Sequence, residues 1–198
     1  MCKYGSLKKI SNNRSQFDRM NVLISYNLFL EKSLVLMQSH CKYALTAPIG
    51  ELEFPAQLTP RQMLEMGVFE GKYINDCESE FPDEWFENAK LSNSGPDVNC
   101  NYFKIKSRQP LYVWKQNGWI YGNDPRGWFQ WYCRYFMGRR EPSVDAIQIS
   151  RWKAFGPRHI GGIKSDPKYR KAKTRSERLN VRPKQRQALL QWAYNPFV

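Results

Sequence analysis

Only two histidines occur in the sequence, His40 and His159, and its five cysteines (Cys2, Cys41, Cys77, Cys100 and Cys133) follow no regular spacing. Without a C-x-x-C pair, neither a zinc site nor a disulfide framework is indicated, and a reducing compartment is the default. His40 stands beside Cys41, but no local signature supports a Cys–His nucleophilic pair. Nor is there an apolar run near the ~20 residues of a membrane span, because Asn27, Glu31 and Lys32 interrupt the best candidate. That segment also lies too deep, and lacks the flanks, for a secretory signal. These absences predict an intracellular protein, cytoplasmic or nuclear, with no membrane partner, no cofactor and no metal. The low-acid first 48 residues match a mitochondrial transit peptide only weakly, since Asp18 and Glu31 intrude.

Acid is scarce outside one stretch. Residues 51–100 carry eleven Asp/Glu against three Lys/Arg, whereas residues 151–198 carry two against thirteen. Residues 1–50 and 101–150 are each at +5, and the whole chain is at +13. Such asymmetry points to a polyanionic partner, nucleic acid before membrane, without distinguishing DNA from RNA.

Aromatic residues are abundant, with seven Trp, eleven Tyr and eleven Phe in 198 residues, enough for one domain with a real core. The stretch from Asp124 to Arg140 concentrates them. Asp124 suits a helix cap, Pro125 a first helical position and Gly138 a stop, predicting a helix over about 124–138. At helical spacing Trp128, Trp131, Tyr132 and Tyr135 share one side, and Phe129, Cys133 and Phe136 cover the next. Only Arg126, Gln130 and Arg134 form a polar stripe. A helix apolar nearly all round is a buried one, so this helix is expected at the centre of the fold.

Around it, Thr59-Pro60-Arg61-Gln62 is a capping box that opens a helix closed by Gly67, and the globular unit is expected to begin near there. Pro82, Asp83 and Glu84 are first-turn residues. Ser107 is a cap for a short helix bearing Leu111, Val113 and Trp114, closed by Asn117-Gly118. Ser143 caps a helix that Gly156-Pro157 is expected to end, and Pro183 opens a last helix with Leu189 and Trp192. Val22, Tyr26, Phe29, Leu30 and Met37 mark a peripheral helix over 21–38, and residues 1–21 are expected to be loosely ordered. Only Tyr102–Lys106 hints at a strand. The fold class is therefore mainly α, a compact bundle of short helices around the aromatic helix, with a basic C-terminal segment. Three parts are expected: a basic extension over 1–50, a helical core over 51–163, and a basic segment with a helix packing on the core over 164–198.

Lys168, Arg170, Lys171, Lys173, Arg175, Arg178, Arg182, Lys184 and Arg186 fall within nineteen residues. Such a run is either a solvated surface, a nuclear-localisation signal or a phosphate-binding face. Crowding Arg182, Lys184 and Arg186 at a helix start opposes the helix dipole, which makes sense if an anion arrives there. The stripe Arg126–Gln130–Arg134, with Arg139 and Arg140 beyond, either pairs with the acids of 76–87 inside the domain or lines a groove where rings stack on bases. The candidate nucleic-acid-binding residues are thus Arg126, Arg134, Arg139, Arg140, Lys168, Arg170, Lys171, Lys173, Arg175, Arg182, Lys184 and Arg186.

Asp76, Glu78, Glu80, Asp83, Glu84 and Glu87 support a second reading, a metal-dependent enzyme acting on nucleic acid, although no spacing among them is diagnostic. A third is a protein-interaction module with acidic and basic faces. Residues 156–165 resemble a phosphate loop but place Ile163 between Gly162 and Lys164-Ser165, so a nucleotide loop is rejected. The block from about Gly67 to Phe155 resembles a group of small uncharacterised proteins sharing a DPRGWFQWYCRY-like core. That resemblance covers nearly half the chain and implies no activity and no functional residue.

Overall fold

Residues 44–121 and 123–198 are described by the structure, a computed structural model. Contacts divide the chain into two units, 1–42 and 43–198, and the described residues belong to the second. The helix expected over 21–38, the stretch 1–21 and the His40–Cys41 pair lie outside them. Seven α-helices follow one another among the described residues: α1 (Pro60–Met66), α2 (Leu111–Gln116), α3 (Trp128–Phe136), α4 (Pro142–Ser165), α5 (Pro167–Lys171), α6 (Arg175–Leu179) and α7 (Pro183–Leu190). Short 3-10 turns fill the chain between α1 and α2. No strand occurs among these residues, Tyr102–Lys106 included, so the unit is mainly helical as its pattern predicted.

The Thr59 capping box forms as read: the Thr59 hydroxyl accepts from the Gln62 amide, and the Gln62 side chain accepts from the Thr59 amide. Core structure nevertheless begins earlier than Thr59. The amides of Thr46 and Ala47 donate to the Gly138 carbonyl, and the Gly50 amide donates to the Phe136 carbonyl (2.8 Å). This strap satisfies carbonyls that the end of α3 would otherwise leave orphaned. It lies so close that a Cβ on Gly138 would sit 2.0 Å from the Ala47 oxygen, and φ at Gly138 is +104°. Glycine is required there twice over, by space and by backbone.

Trp128, Trp131, Tyr132, Cys133 and Tyr135 on α3 are all 0–1% exposed. The helix is the buried centre its composition implied, and truncating one such Trp costs about 3–5 kcal/mol. It starts at Trp128 rather than at 124, with Gly127 at the cap position and no side-chain cap. Asp124 is not free to cap, for its carboxylate is occupied by arginines. Two of the buried ring polar atoms of α3 are answered by the surroundings: Trp131 Nε1 donates to Asp145 Oδ1 (2.8 Å), and the Tyr132 hydroxyl donates to the Leu58 carbonyl (2.7 Å).

α4 corrects the expected stop at Gly156-Pro157, because the helix runs straight through it for 24 residues. The glycine is there for packing. A Cβ at 156 would lie 2.1 Å from Tyr194 Cζ, and the Tyr194 ring stacks on Trp152 (4.2 Å, 6°) while its hydroxyl donates to the Trp152 carbonyl (2.6 Å). Ser107 is likewise not a cap, since α2 starts at Leu111 after Pro110 and the Ser107 hydroxyl donates instead to the Lys184 carbonyl (2.6 Å). Asn117 and Gly118 do close α2, and Pro183 does open α7.

α7 and its C-cap residue carry three buried polar side chains, Arg186, Gln187 and Gln191. Gln187 accepts from the Phe103 amide (3.0 Å) and donates to the Gly67 carbonyl (3.0 Å). Gln191 accepts from the Phe69 amide (3.2 Å) and donates to the Ser107 carbonyl (3.0 Å). Two side chains thereby tie two loops to the helix that backs them, in a position where unanswered amides would be costly. Among the described residues no helix is long and apolar enough to cross a membrane.

Candidate nucleic-acid interface

The polar stripe of α3 meets the acidic segment residue by residue. Arg126 pairs with Asp76, Gln130 Nε2 reaches Cys77 Sγ (3.6 Å), and Arg134 holds Glu80 through Nε (2.9 Å) and Nη2 (2.5 Å). Arg134 also donates to Asp124 Oδ1 (2.9 Å), and Arg139 grips both oxygens of the same carboxylate (2.8 and 2.6 Å). Arg139 Nη1 also lies 3.7 Å from Glu141 Oε1, so both guanidiniums are answered by carboxylates, as a buried charge requires. Arg134 and Arg139 are removed from the candidate interface for that reason, with side chains only 8% and 2% exposed. Arg140 lies with its guanidinium 3.9 Å above the Tyr135 ring and donates to the carbonyls of Tyr135, Arg139 and Glu51.

Arg186 is the third correction. It is fully buried, and its three nitrogens donate to the carbonyls of Val181 (2.9 Å), Pro196 (2.5 Å) and Arg178 (2.8 Å). Burial lowers its pKa. The residue is a clamp on the ends of α6 and α7 rather than a cation for phosphate. Nothing in a linear run of cations distinguishes such a member from its neighbours; only the helical phase of α7, with Leu189 and Leu190 beside it, offers a hint.

The carboxylates of 76–87 do not converge. Asp76 and Glu80 are held by arginines, Glu87 lies 3.8 Å from Arg61, and Asp83 and Glu84 are exposed. Among the described residues no group of three or more His, Cys, Asp or Glu is placed to hold a metal ion. The phosphate-loop-like residues 156–165 all lie within α4 and form no loop.

The remaining cations form an arm. α5 and α6 are five residues each, too short to be stable through propagation alone. Each is set by its own cap. Asp166 Oδ1 accepts from the Lys168 amide (2.9 Å), and Thr174 and Glu177 make a complete capping box. Asp166 Oδ2 also accepts from Arg182 Nε (2.7 Å), and that hydrogen bond is the main cause of its lowered pKa. Arg182, at φ +52°, is thereby fixed at the start of α7. The Arg178 guanidinium lies 5.7 Å from the Tyr169 ring, stapling α6 to α5. Lys168, Arg170, Lys171, Lys173, Arg175, Arg178, Arg182 and Lys184 are all exposed.

A cleft of about 600 Å³ opens where α2, α4 and α7 approach one another. Aromatic side chains make much of its wall: Trp114, Trp119, Phe155, His159 and Trp192. His159 stacks on Phe155 (3.9 Å), Phe155 on Trp192 (4.4 Å), Trp192 on Trp128 (4.8 Å) and Trp128 on Tyr132 (5.1 Å). One column of rings thus joins the cleft to the centre of the core. Arg108, Arg151, Arg158 and Lys184 supply its charge, and sequence reading passed over all but Lys184 because the others are scattered singly. Arg108 is answered by buried Glu70 (3.0 Å).

Against known proteins the chain stands apart: no family model matches it, and no curated protein or solved structure matches it significantly.

Proposed function

We propose that this chain binds nucleic acid, gripping phosphates with the arm formed by α5, α6 and the start of α7. One observation carries the reading. The only two carboxylates between residues 164 and 184, Asp166 and Glu177, are both spent on helix caps and, for Asp166, on Arg182. Among the described residues Lys168, Lys171, Lys173 and Arg175 therefore have no carboxylate partner, although Lys168, Lys171 and Arg175 stand on capped helices and Lys173 lies in the short link between them. Like charges held close together on a rigid frame repel one another, and a phosphate backbone is the ligand that relieves this while releasing its own counterions.

The test is a salt titration of binding to a short duplex and to a single strand. Changing Lys168, Lys171, Lys173 and Arg175 together to Gln should weaken binding alike for unrelated sequences. It should also flatten the slope of log K against log salt by about 3–4 units on duplex if all four residues touch phosphate. Thermal stability should hold, since these side chains project from the arm. An unchanged slope would sink the proposal.

A further inference from the structure

The arm recognises only phosphates, whereas the cleft has the chemistry to hold a whole nucleotide. Trp114 and Trp119 line it, and among the described residues neither ring stacks on another, unlike Phe155 and Trp192, each of which lies between two rings. Trp119 is 41% exposed, an indole left facing outward at the mouth of a cavity. An exposed, unpartnered tryptophan is a platform for a flat ligand, because stacking recovers area and needs no particular hydrogen-bond pattern.

Charge narrows the ligand further. Arg151 is half-buried in the wall, with its guanidinium 5.6 Å from the rings of Tyr121 and Trp192. Both hydrogen bonds it makes among the described residues start from Nη1, to the Trp119 carbonyl (3.2 Å) and Gln148 Oε1 (2.9 Å). Arg126, Arg134 and Arg139 answer carboxylates and Arg186 answers three carbonyls; among the described residues Arg151 meets no anion, and burial lowers its pKa. A desolvated cation without a counter-charge is costly and favours an incoming anion. Arg158 and Lys184 also line the cleft, both exposed, and among the described residues no Asp or Glu lines it. With Arg108 neutralised by Glu70, three positive charges remain around a cavity whose ~600 Å³ is the size of a small-ligand site.

We propose that this cleft is a nucleotide-binding site, with a base stacked on Trp119 and its phosphate held by Arg151, Arg158 and Lys184. The source is either a free nucleotide or one nucleotide of a strand lying on the arm, and in the second case the inference rests on the nucleic-acid reading above.

The test titrates the full chain with adenosine 5′-monophosphate, adenosine, inorganic phosphate and a six-residue oligoadenylate, following tryptophan fluorescence and calorimetry. The monophosphate or the oligonucleotide should bind saturably, and at least tenfold more tightly than adenosine or phosphate alone. Trp119→Ala and, separately, Arg158→Gln should each weaken that binding about tenfold while leaving the melting temperature near that of the parent. Both positions are exposed, and the Trp119 carbonyl that holds Arg151 is main chain. Monophosphate binding equal to that of the oligonucleotide identifies a free nucleotide as the ligand; oligonucleotide binding alone identifies a strand. The fourfold Gln variant of the arm should leave monophosphate affinity unchanged, so failure of the arm and failure of the cleft are separate results. The proposal is overturned if neither probe binds, or if Trp119→Ala binds both as the parent does.

Discussion

Asp124 and Arg139 meet end on in the interior, both carboxylate oxygens accepting from both terminal nitrogens at 2.8 and 2.6 Å, across fifteen residues of chain that contain the whole of α3. The pair therefore fixes where the aromatic helix enters the core and where it leaves. Asp124→Asn keeps the shape and removes the charge, leaving Arg134 with Glu80 and Arg139 with the more distant Glu141. A buried pair broken on one side costs ~3–5 kcal/mol, a large part of the ~5–15 kcal/mol that holds a domain together. Urea denaturation should show a midpoint lowered accordingly. A variant as stable as the parent would mean that the cluster contributes little.

Gly156→Ala should destabilise the protein although alanine is the better helix former. The added methyl group collides with the Tyr194 ring, 2.1 Å from Cζ, and overpacking of this kind costs ~1–3 kcal/mol or more. Combining it with Tyr194→Ala should cost less than the two changes summed, because the second removes the obstacle to the first. Additive losses in a thermal double-mutant cycle would count against direct packing between the two.

Two cations two residues apart should behave oppositely. Lys184 is exposed, so Lys184→Gln should leave stability within a few tenths of a kcal/mol of the parent. Arg186→Gln abandons three carbonyls in the interior and should lose at least ~2 kcal/mol. Guanidinium denaturation of the two variants side by side reads this directly.

Alkaline pH should unfold the protein early. Burial pushes the Cys77 thiol from 9.0 up to about 11 and the Tyr194 hydroxyl from 10.0 up to about 12, and raises the Cys133 thiol and the Tyr73 and Tyr132 hydroxyls as well. Each group keeps its proton in the folded protein at pH values where the unfolded chain has lost it. The stability they contribute is complete below about 9 and is lost as pH rises toward 12. Melting temperature should be level from pH 7 to 9 and fall beyond it, and Cys77→Ala should make the first part of that fall shallower. A level profile through pH 11 would refute the assignment.

The features legible in the sequence were those written in a single local segment. A helix apolar on nearly every side has nowhere to go but the centre, and a Thr-Pro-x-Gln box caps by bonds it makes with itself. What failed was whatever depended on a partner far along the chain. Asp124 reads as a cap until Arg139 is known to occupy it, and Gly156-Pro157 reads as a stop until Tyr194 is found against the glycine. The site divides in the same way. The arm was legible because its exposed cations cluster in one stretch and its capping acids lie within it, whereas the burial that sets Arg186 apart from Lys184 comes from the direction it faces. The cleft was invisible, since Trp119, Arg151 and Arg158 stand alone in sequence and share a wall only after α2, α4 and α7 have come together.

The contact of Tyr194 with Gly156 and Trp152 also governs when the protein can fold during synthesis. Gln57 joins this same region, its amide donating to the Ala193 carbonyl and its side chain accepting from the Asn195 amide. Residues near 57, in place early on the ribosome, thus wait for residues near 194 before their last hydrogen bonds exist. Pairings that span so much chain are slow to form, and until they do, the indoles of α3 and α4 lack part of their cover. Closure of this unit belongs after translation of residue 195, and a nascent chain stalled before that point would present its tryptophans to whatever chaperone attends it.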